Sequence, residues 1–346
     1  MLNRFRLFPP TSAITLRPRL ACEITIDGVV AARQEGALGS ATVTAFTPLR
    51  AGALVPGLAS PNIPDHAPVV STLRQALDEV AARSRQVSLI IPDLAARVLL
   101  LDFDTLPAKT AEVLPILRFR LRKLLPFEVD DAAISYQVLH QDAQQVRTVV
   151  AVIPRSVLAE YESAVREAGY LPGAVLPSTL ATLAVVPESE NALVINCSRA
   201  SVTSAITRGN ELLLYRTLDL PKSEPERVLE LQQVVTVAMA YFEDSMAARP
   251  EALFYVGTGG AEAMSRLLND QAAGGGSFVG TVGTISAASE EKEGLETGPT
   301  ADGALGGGPI EDTAIVVRDL VPIPPTGAAT AMPPGLLAGV AGALAN

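Results

Sequence analysis

The stretch Ala252-Leu-Phe-Tyr-Val256 runs straight into Gly257-Thr258-Gly259-Gly260 and then into Ala261 to Leu268. The first segment reads as a buried strand and the last as a helix. Glycines between them let the backbone turn sharply and come close to a nucleobase or a phosphate. A tight turn that needs positive φ explains the same four residues without any ligand.

Upstream of that turn, Glu224 to Ala247 carries Leu229, Leu231, Val235, Ala238, Met239 and Phe242 on a broad apolar face, as a long helix does. Three strand-like runs precede it: Ala192 to Cys197, Ser201 to Thr207 and Glu211 to Leu218, with a turn at Arg208-Gly209-Asn210. A meander, a helix and a strand therefore come in that order. The order also occurs earlier in the chain. Leu20 to Ile26 and Val29 to Arg33 flank Asp27-Gly28, a strong hairpin signal. Ala41 to Phe46 is a third strand, and residues 47 to 68 form a proline-rich loop. Ser71 to Arg83 reads as an amphipathic helix capped by Ser71, and Val87 to Ile91 as a strand stopped by Pro92.

Between the two copies lies an α+β unit. Arg97 to Phe103, Ala133 to Leu139 and Arg147 to Ile153 read as strands. Thr110 to Leu125 is a helix in which Pro115 separates or kinks the first turn. Pro154 to Ala168 is a helix with Gly169 as its C-cap, Val175 opens a strand, and Ser178 to Val185 is a short helix. Residues 270–313 are rich in Gly, Ala, Ser, Thr and Glu, and are expected to be a disordered or loosely held insert. Ala314 to Val317 would return as a strand and Gly335 to Ala345 as a closing helix of small residues.

Composition narrows the function. The 346 residues suffice for two core-bearing domains, and a formal charge of −10 argues against nucleic acid as a partner. That charge is uneven. Residues 1–126 hold fifteen Lys and Arg against ten Asp and Glu, a net +5, and the remainder carries −15. No run of about 18 apolar residues exists to span a bilayer, and no apolar signal core follows Met1 to Pro10. Two cysteines, Cys22 and Cys197, give no disulfide framework; they fall at matching places in the two copies and read as small buried hydrophobes of a reducing compartment. His66 and His140 have no partners at metal or nucleophile spacing. Ser178 and Ser198 lack a nucleophile-elbow context, and Asp102/Asp104 and Asp130/Asp131 read as surface pairs.

The duplicated plan resembles the actin-like ATPase fold, an α/β architecture of two ribonuclease H-like halves. Particular segments resemble PilM-type proteins of type IV pilus assembly. They are Ser88-Leu-Ile-Ile-Pro92, the strand Val98 to Leu101, Leu106-Pro107, Leu125-Pro-Phe-Glu128, Ile134 to Leu139, Val149-Ala-Val-Ile-Pro-Arg155, Ala168-Gly-Tyr-Leu-Pro172, and Gly209 to Leu213 leading to Arg216 to Pro221. The resemblance extends from about residue 20 to about 268. It implies a cytoplasmic protein peripheral to the inner membrane, related to FtsA and to the cytoplasmic part of GspL. Its partner would be the N-terminal peptide of a PilN-like membrane protein, taken in a groove beside an inserted subdomain. The domains would be residues 1–94, the insert 95–176, the second half 177–269, the low-complexity segment 270–313 and the closing strand and helix 314–346. Homo-oligomerisation stays open.

In the family each half offers a hairpin reading Asp-hydrophobic-Gly that wraps phosphates and Mg²⁺. Here the matching triplets are Glu23-Ile24-Thr25 and Asn196-Cys197-Ser198. The first keeps a carboxylate without the glycine, and the second keeps neither. With Gly257, Thr258, Gly259 and Gly260 as the adenosine turn, these residues read as a degenerate site, with ATP and Mg²⁺ binding weak or lost and no catalytic residue. An active ATPase or nucleotide switch is the alternative. A sugar or small-molecule kinase would need a cleft Asp where Asn196 stands. Leu89, Ile91, Leu99 and Leu101 are the candidate partner contacts. The basic run Arg118, Arg120, Arg122 and Lys123 would face anionic lipid or an acidic partner.

Overall fold

The structure, a computed structural model, describes residues 18–35, 42–248, 250, 252–273, 283–284, 316–321 and 335–345. The expected low-complexity insert and the proline-rich approach to the closing helix fall mostly outside the described residues. A meander opens the first half: β1 (Leu20–Ile24), β2 (Gly28–Gln34) and β3 (Thr42–Pro48). Helix α1 (His66–Val80) follows, then β4 (Gln86–Ile91). Next come β5 (Arg97–Phe103), α2 (Thr110–Leu121), β6 (Ala132–Gln141) and β7 (Val146–Pro154). Then α3 (Arg155–Glu167), β8 (Leu171–Pro177) and α4 (Ser178–Thr182) lead to the second half. That half has β9 (Asn191–Cys197), β10 (Ser201–Arg208), β11 (Glu211–Asp219), α5 (Glu224–Met246) and β12 (Ala252–Gly257). It continues with α6 (Gly260–Ala273), β13 (Gly283–Thr284) and β14 (Val316–Asp319), and α7 (Ala338–Leu344) follows.

The duplication is explicit in the sheets. One has the order β3-β2-β1-β4-β8, and the other β11-β10-β9-β12-β14-β13. In each, an antiparallel meander continues into parallel strands. Register aligns the copies residue by residue. Glu23 lies opposite Ile90 on the parallel neighbour, and Asn196 opposite Val256. Ile24 faces Val29 across the first hairpin, and Cys197 faces Val202 across the second. Glu23 and Asn196 thus occupy equivalent places, as do Thr25 and Ser198. The cysteines do not: Cys22 corresponds to Ile195.

Each half buries its own core. Residues of β1, β4, α1 and α3 pack together, including Leu20, Leu73, Leu77, Leu89, Ile91 and Tyr161. Leu193, Ile195, Val235, Phe242, Leu253 and Met264 do the same in the second half. The third sheet, β5-β7-β6, packs α2 on one face through Leu101, Leu117, Leu121 and Val150. Its other face meets the second half through Val149, Val194, Ala205 and Phe254. By packing, the insert is narrower than residues 95–176. Helix α3 lies in the first core, and β8 pairs with β4, so only about 97–154 stands apart.

Two further readings change. Helix α1 begins five residues before Ser71, which is exposed in mid-helix. Pro68 sits in its first turn, where a missing N–H costs no helical bond. The proline-rich loop is fastened by buried Asn62. Its Nδ2 donates to the Gly57 and Ala59 carbonyls, and its Oδ1 accepts from the Tyr161 hydroxyl at 3.1 Å.

Helix α7 closes the first half from the side opposite α1, through Leu337, Val340, Ala343 and Leu344 against Ala21, Val30 and Ile90. Its small residues are a packing requirement. A Cβ at Gly342 would overlap the Ala181 carbonyl oxygen, and one at Gly339 would overlap the Glu23 carboxylate. Gly342→Val is therefore expected to lower unfolding stability by about 1–3 kcal/mol. Chemical denaturation checks this, and an unchanged midpoint would mean that α7 does not dock closely on α4.

Candidate functional site

The hairpin turns at residues 25–28 and 198–201 face each other across the cleft between the halves, and each is closed on itself. The Thr25 N–H donates to the Gly28 carbonyl at 2.9 Å, and the Ser198 N–H to the Ser201 carbonyl at 2.8 Å. Thr25 Oγ1 accepts from the Asp27 and Gly28 N–H groups at 3.2 and 3.1 Å. Ser198 Oγ accepts from the Ala200 and Ser201 N–H groups at 3.2 and 3.0 Å. A hydroxyl at the first turn position, where the resemblance expects glycine, thus takes up the backbone donors that a phosphate would use. An ion pair between Arg199 and Asp27 then joins the two turns across the cleft. Gly28 meets a packing need instead, since a Cβ there would overlap the Thr47 carbonyl oxygen.

Beneath the turns runs a chain of hydrogen bonds. Ser178 Oγ donates to Glu23 Oε1 at 2.5 Å. Asn196 Nδ2 donates to Ser178 Oγ at 3.1 Å and to Thr179 Oγ1 at 2.9 Å. Thr179 Oγ1 donates to Asp93 Oδ2 at 2.5 Å, and its N–H to Oδ1 at 3.0 Å. Thr203 Oγ1 and the Tyr215 hydroxyl complete the Asp93 shell, each at 2.9 Å. Both carboxylates are buried. Burial pushes the Glu23 carboxyl up to about 7, the Ser178 hydrogen bond opposes this, and the nearby Asp93 charge adds to it. Burial also raises Asp93 against its four hydrogen bonds. With those bonds made, Asp93 is held as a structural hub, not presented as a base.

Glu23, Thr25, Asn196, Ser198, Gly257 and Thr258 line one cavity of about 50 Å³, together with Ser178, Gly335 and Leu336. That space suits a few waters. Gly259 and Gly260 continue the turn at φ of 92° and 66°, and α6 starts at Gly260. Gly335 lies directly on the Gly257 backbone, where a Cβ would overlap it, so the segment entering α7 covers the glycine turn. Sequence reasoning missed Ser178, Asp93, Asp27 and Arg199. The resemblance to the hairpins pointed to the strands and not to what fills the space between them.

The four candidate partner contacts, three leucines and one isoleucine, separate differently. Leu89 and Ile91 lie in the first core, on a strand flanked by β1 and β8, so neither side chain nor strand edge is free. Leu101 is buried beneath α2, and Leu99 is half-buried beside it. Core packing accounts for Leu89, Ile91 and Leu101. Cys22 and Cys197 are buried and half-buried thiols, raised to about 12 and about 11 by burial.

Because the folded Glu23 carboxyl titrates near 7 and an unfolded one near 4.5, the native state holds the extra proton between those values. Its contribution therefore favours folding at low pH and fades as pH rises through that window, by up to roughly 3 kcal/mol. Glu23→Gln should flatten this fall, gaining stability relative to the parent at pH 8 but not at pH 4. Urea unfolding at the two pH values checks it, and parallel pH profiles would show that Glu23 is not buried as described.

No family model and no curated protein matches the chain. Among solved structures, it is similar to a chain of the PilM–PilN type IV pilus biogenesis complex, with TM-score 0.61 and 19% identity over 73% of this chain and 87% of that one. The cytoplasmic domain of EpsL, an inner-membrane component of the Vibrio cholerae type II secretion system, matches at TM-score 0.45 and 12% identity, covering 69% of this chain and 81% of that one. A Bacteroides thetaiotaomicron protein of actin-like ATPase fold and unknown function gives 0.42 and 11%, covering 73% and 86%. The fold is the duplicated actin-like one, in the form it takes in the PilM–PilN structure.

Proposed function

We propose that this chain is a PilM-like scaffold on the cytoplasmic side of a type IV pilus or type II secretion platform, with a nucleotide site that no longer works as one. The observation that carries the second part is the self-closure of both hairpin turns. Thr25 and Ser198 engage the donors, Asn196 brings no charge to organise a metal, and Arg199 and Asp27 pair across the two turns. Phosphoryl transfer depends on positioned charge and free backbone donors, and in the two hairpin turns the donors and charges described already have protein partners. The Glu23 carboxylate, hydrogen-bonded by Ser178 and covered by Gly339, is a poor ligand for hydrated Mg²⁺.

The first part draws on the shared fold with the PilM–PilN structure. A partner peptide from a PilN-like membrane protein would add along the insert, whose sheet ends in β5 and β6. β6 is the better candidate. It pairs with β7 on one side, and Val138 on it is 40% exposed. An extended peptide gains main-chain hydrogen bonds at such an edge and reads alternate side chains for specificity.

Two measurements test this reading. Calorimetric titration with Mg²⁺-ATP should give no heat of binding, and a micromolar affinity would restore the nucleotide-switch alternative suggested by Gly257 to Gly260. The cytoplasmic N-terminal peptide of a one-span membrane protein encoded beside this chain should bind, and Val138→Asp should weaken it about tenfold or more. Failure of the peptide to bind the parent protein would remove the scaffold assignment.

A further inference from the structure

The basic run of the insert divides in two when folded. Arg118 and Arg122 turn toward Asp130, at 3.9 and 3.3 Å, and Arg118 also donates to the Val129 carbonyl. Arg120 and Lys123 are exposed and have no ion-pair partner among the described residues. On the same side of the helix stand large apolar side chains in water: Phe119 is 71% exposed and Ile116 37%, and Leu124 in the following turn is 49%. At helical spacing, residues 116, 119, 120 and 123 fall within an arc of about 100°. The buried residues Val113, Leu117 and Leu121 lie on another face. From Val113 to Phe127 the chain has four basic residues and no acidic one, although the whole carries −10.

We infer that this outer face of α2 rests on an anionic lipid surface. An exposed aromatic flanked by cations on a helix is the pattern of interfacial adsorption: the ring enters the headgroup boundary, and the Arg and Lys stems carry their charges to the phosphates. Each basic residue near such a surface contributes a factor of about five in partitioning. Two cations and one ring make a weak contact, which orients the protein once something else holds it close. The inference thus rests on the platform reading, in which a membrane partner supplies that tether.

Flotation with phosphatidylglycerol vesicles and with phosphatidylcholine vesicles, at low salt, tests it on the full chain. The parent protein should float with the anionic vesicles only and be released by salt. Arg120→Gln with Lys123→Gln should weaken partitioning about 25-fold, and Phe119→Ser should weaken it as well. Phe119 is too exposed for its replacement to disturb the core. Equal flotation with both lipids, no flotation with either, or variants that float like the parent would overturn the inference. The partner peptide should bind Phe119→Ser unchanged; loss of that binding would make this face a protein-docking site instead. Lipid binding without any peptide binding by the parent would sink the platform reading and leave the lipid contact standing.

Discussion

The two halves are held in register by one buried chain of polar contacts, from Glu23 through Ser178, Asn196 and Thr179 to Asp93, Thr203 and Tyr215. Buried carboxylates are tolerable only when their lone pairs are met, and here the partners come from β1, α4, β9, β10 and β11. Short helix α4 is the connector, because its two successive hydroxyls each donate to a carboxylate of the first half and accept from Asn196 of the second. Removing a member leaves buried groups such as Glu23 and Asp93 short of a partner, so the relative placement of the halves is specified more sharply than apolar packing alone would do.

The same chain bears on the proposed loss of nucleotide binding from this cleft. A nucleotide site keeps donors and carboxylates unsatisfied until its ligand arrives. Here each such group has found a protein partner: the turn N–H groups have Thr25 and Ser198, Glu23 has Ser178, and Asp27 has Arg199. Satisfying these groups internally removes the cost of leaving them unpaired.

Much of this was legible in the sequence. Asp-Gly between apolar runs marked the first hairpin, and the glycine turn after Val256 marked the last crossover. The repeated order of elements gave the duplication. The departures at Thr25, Asn196 and Ser198 were visible as residue types, and six of the eight expected site residues do share one cavity. What those residues do instead was not visible. Asp93 looked like a polar residue after a strand-ending proline; its role depends on residues Thr179, Thr203 and Tyr215, distant in sequence. The start of α1 was missed because Pro68 looks like a breaker unless its place in a first turn is known. Where the insert ends is not written locally, because nothing in the segment says that β8 returns to β4. Leu89 and Leu99 have the same alternating pattern, and only the sheet order separates an interior strand from an outer one.

Helix α7 has a consequence for synthesis. It covers the apolar face formed by Ala21, Val30 and Ile90, residues made long before it. Until residues 337–344 emerge, that face of the nascent first half has no cover. Contacts of such long sequence separation slow folding and leave intermediates prone to aggregation. The first half is therefore expected to complete its fold only once α7 has been made, with holdase chaperones shielding the uncovered sheet until then.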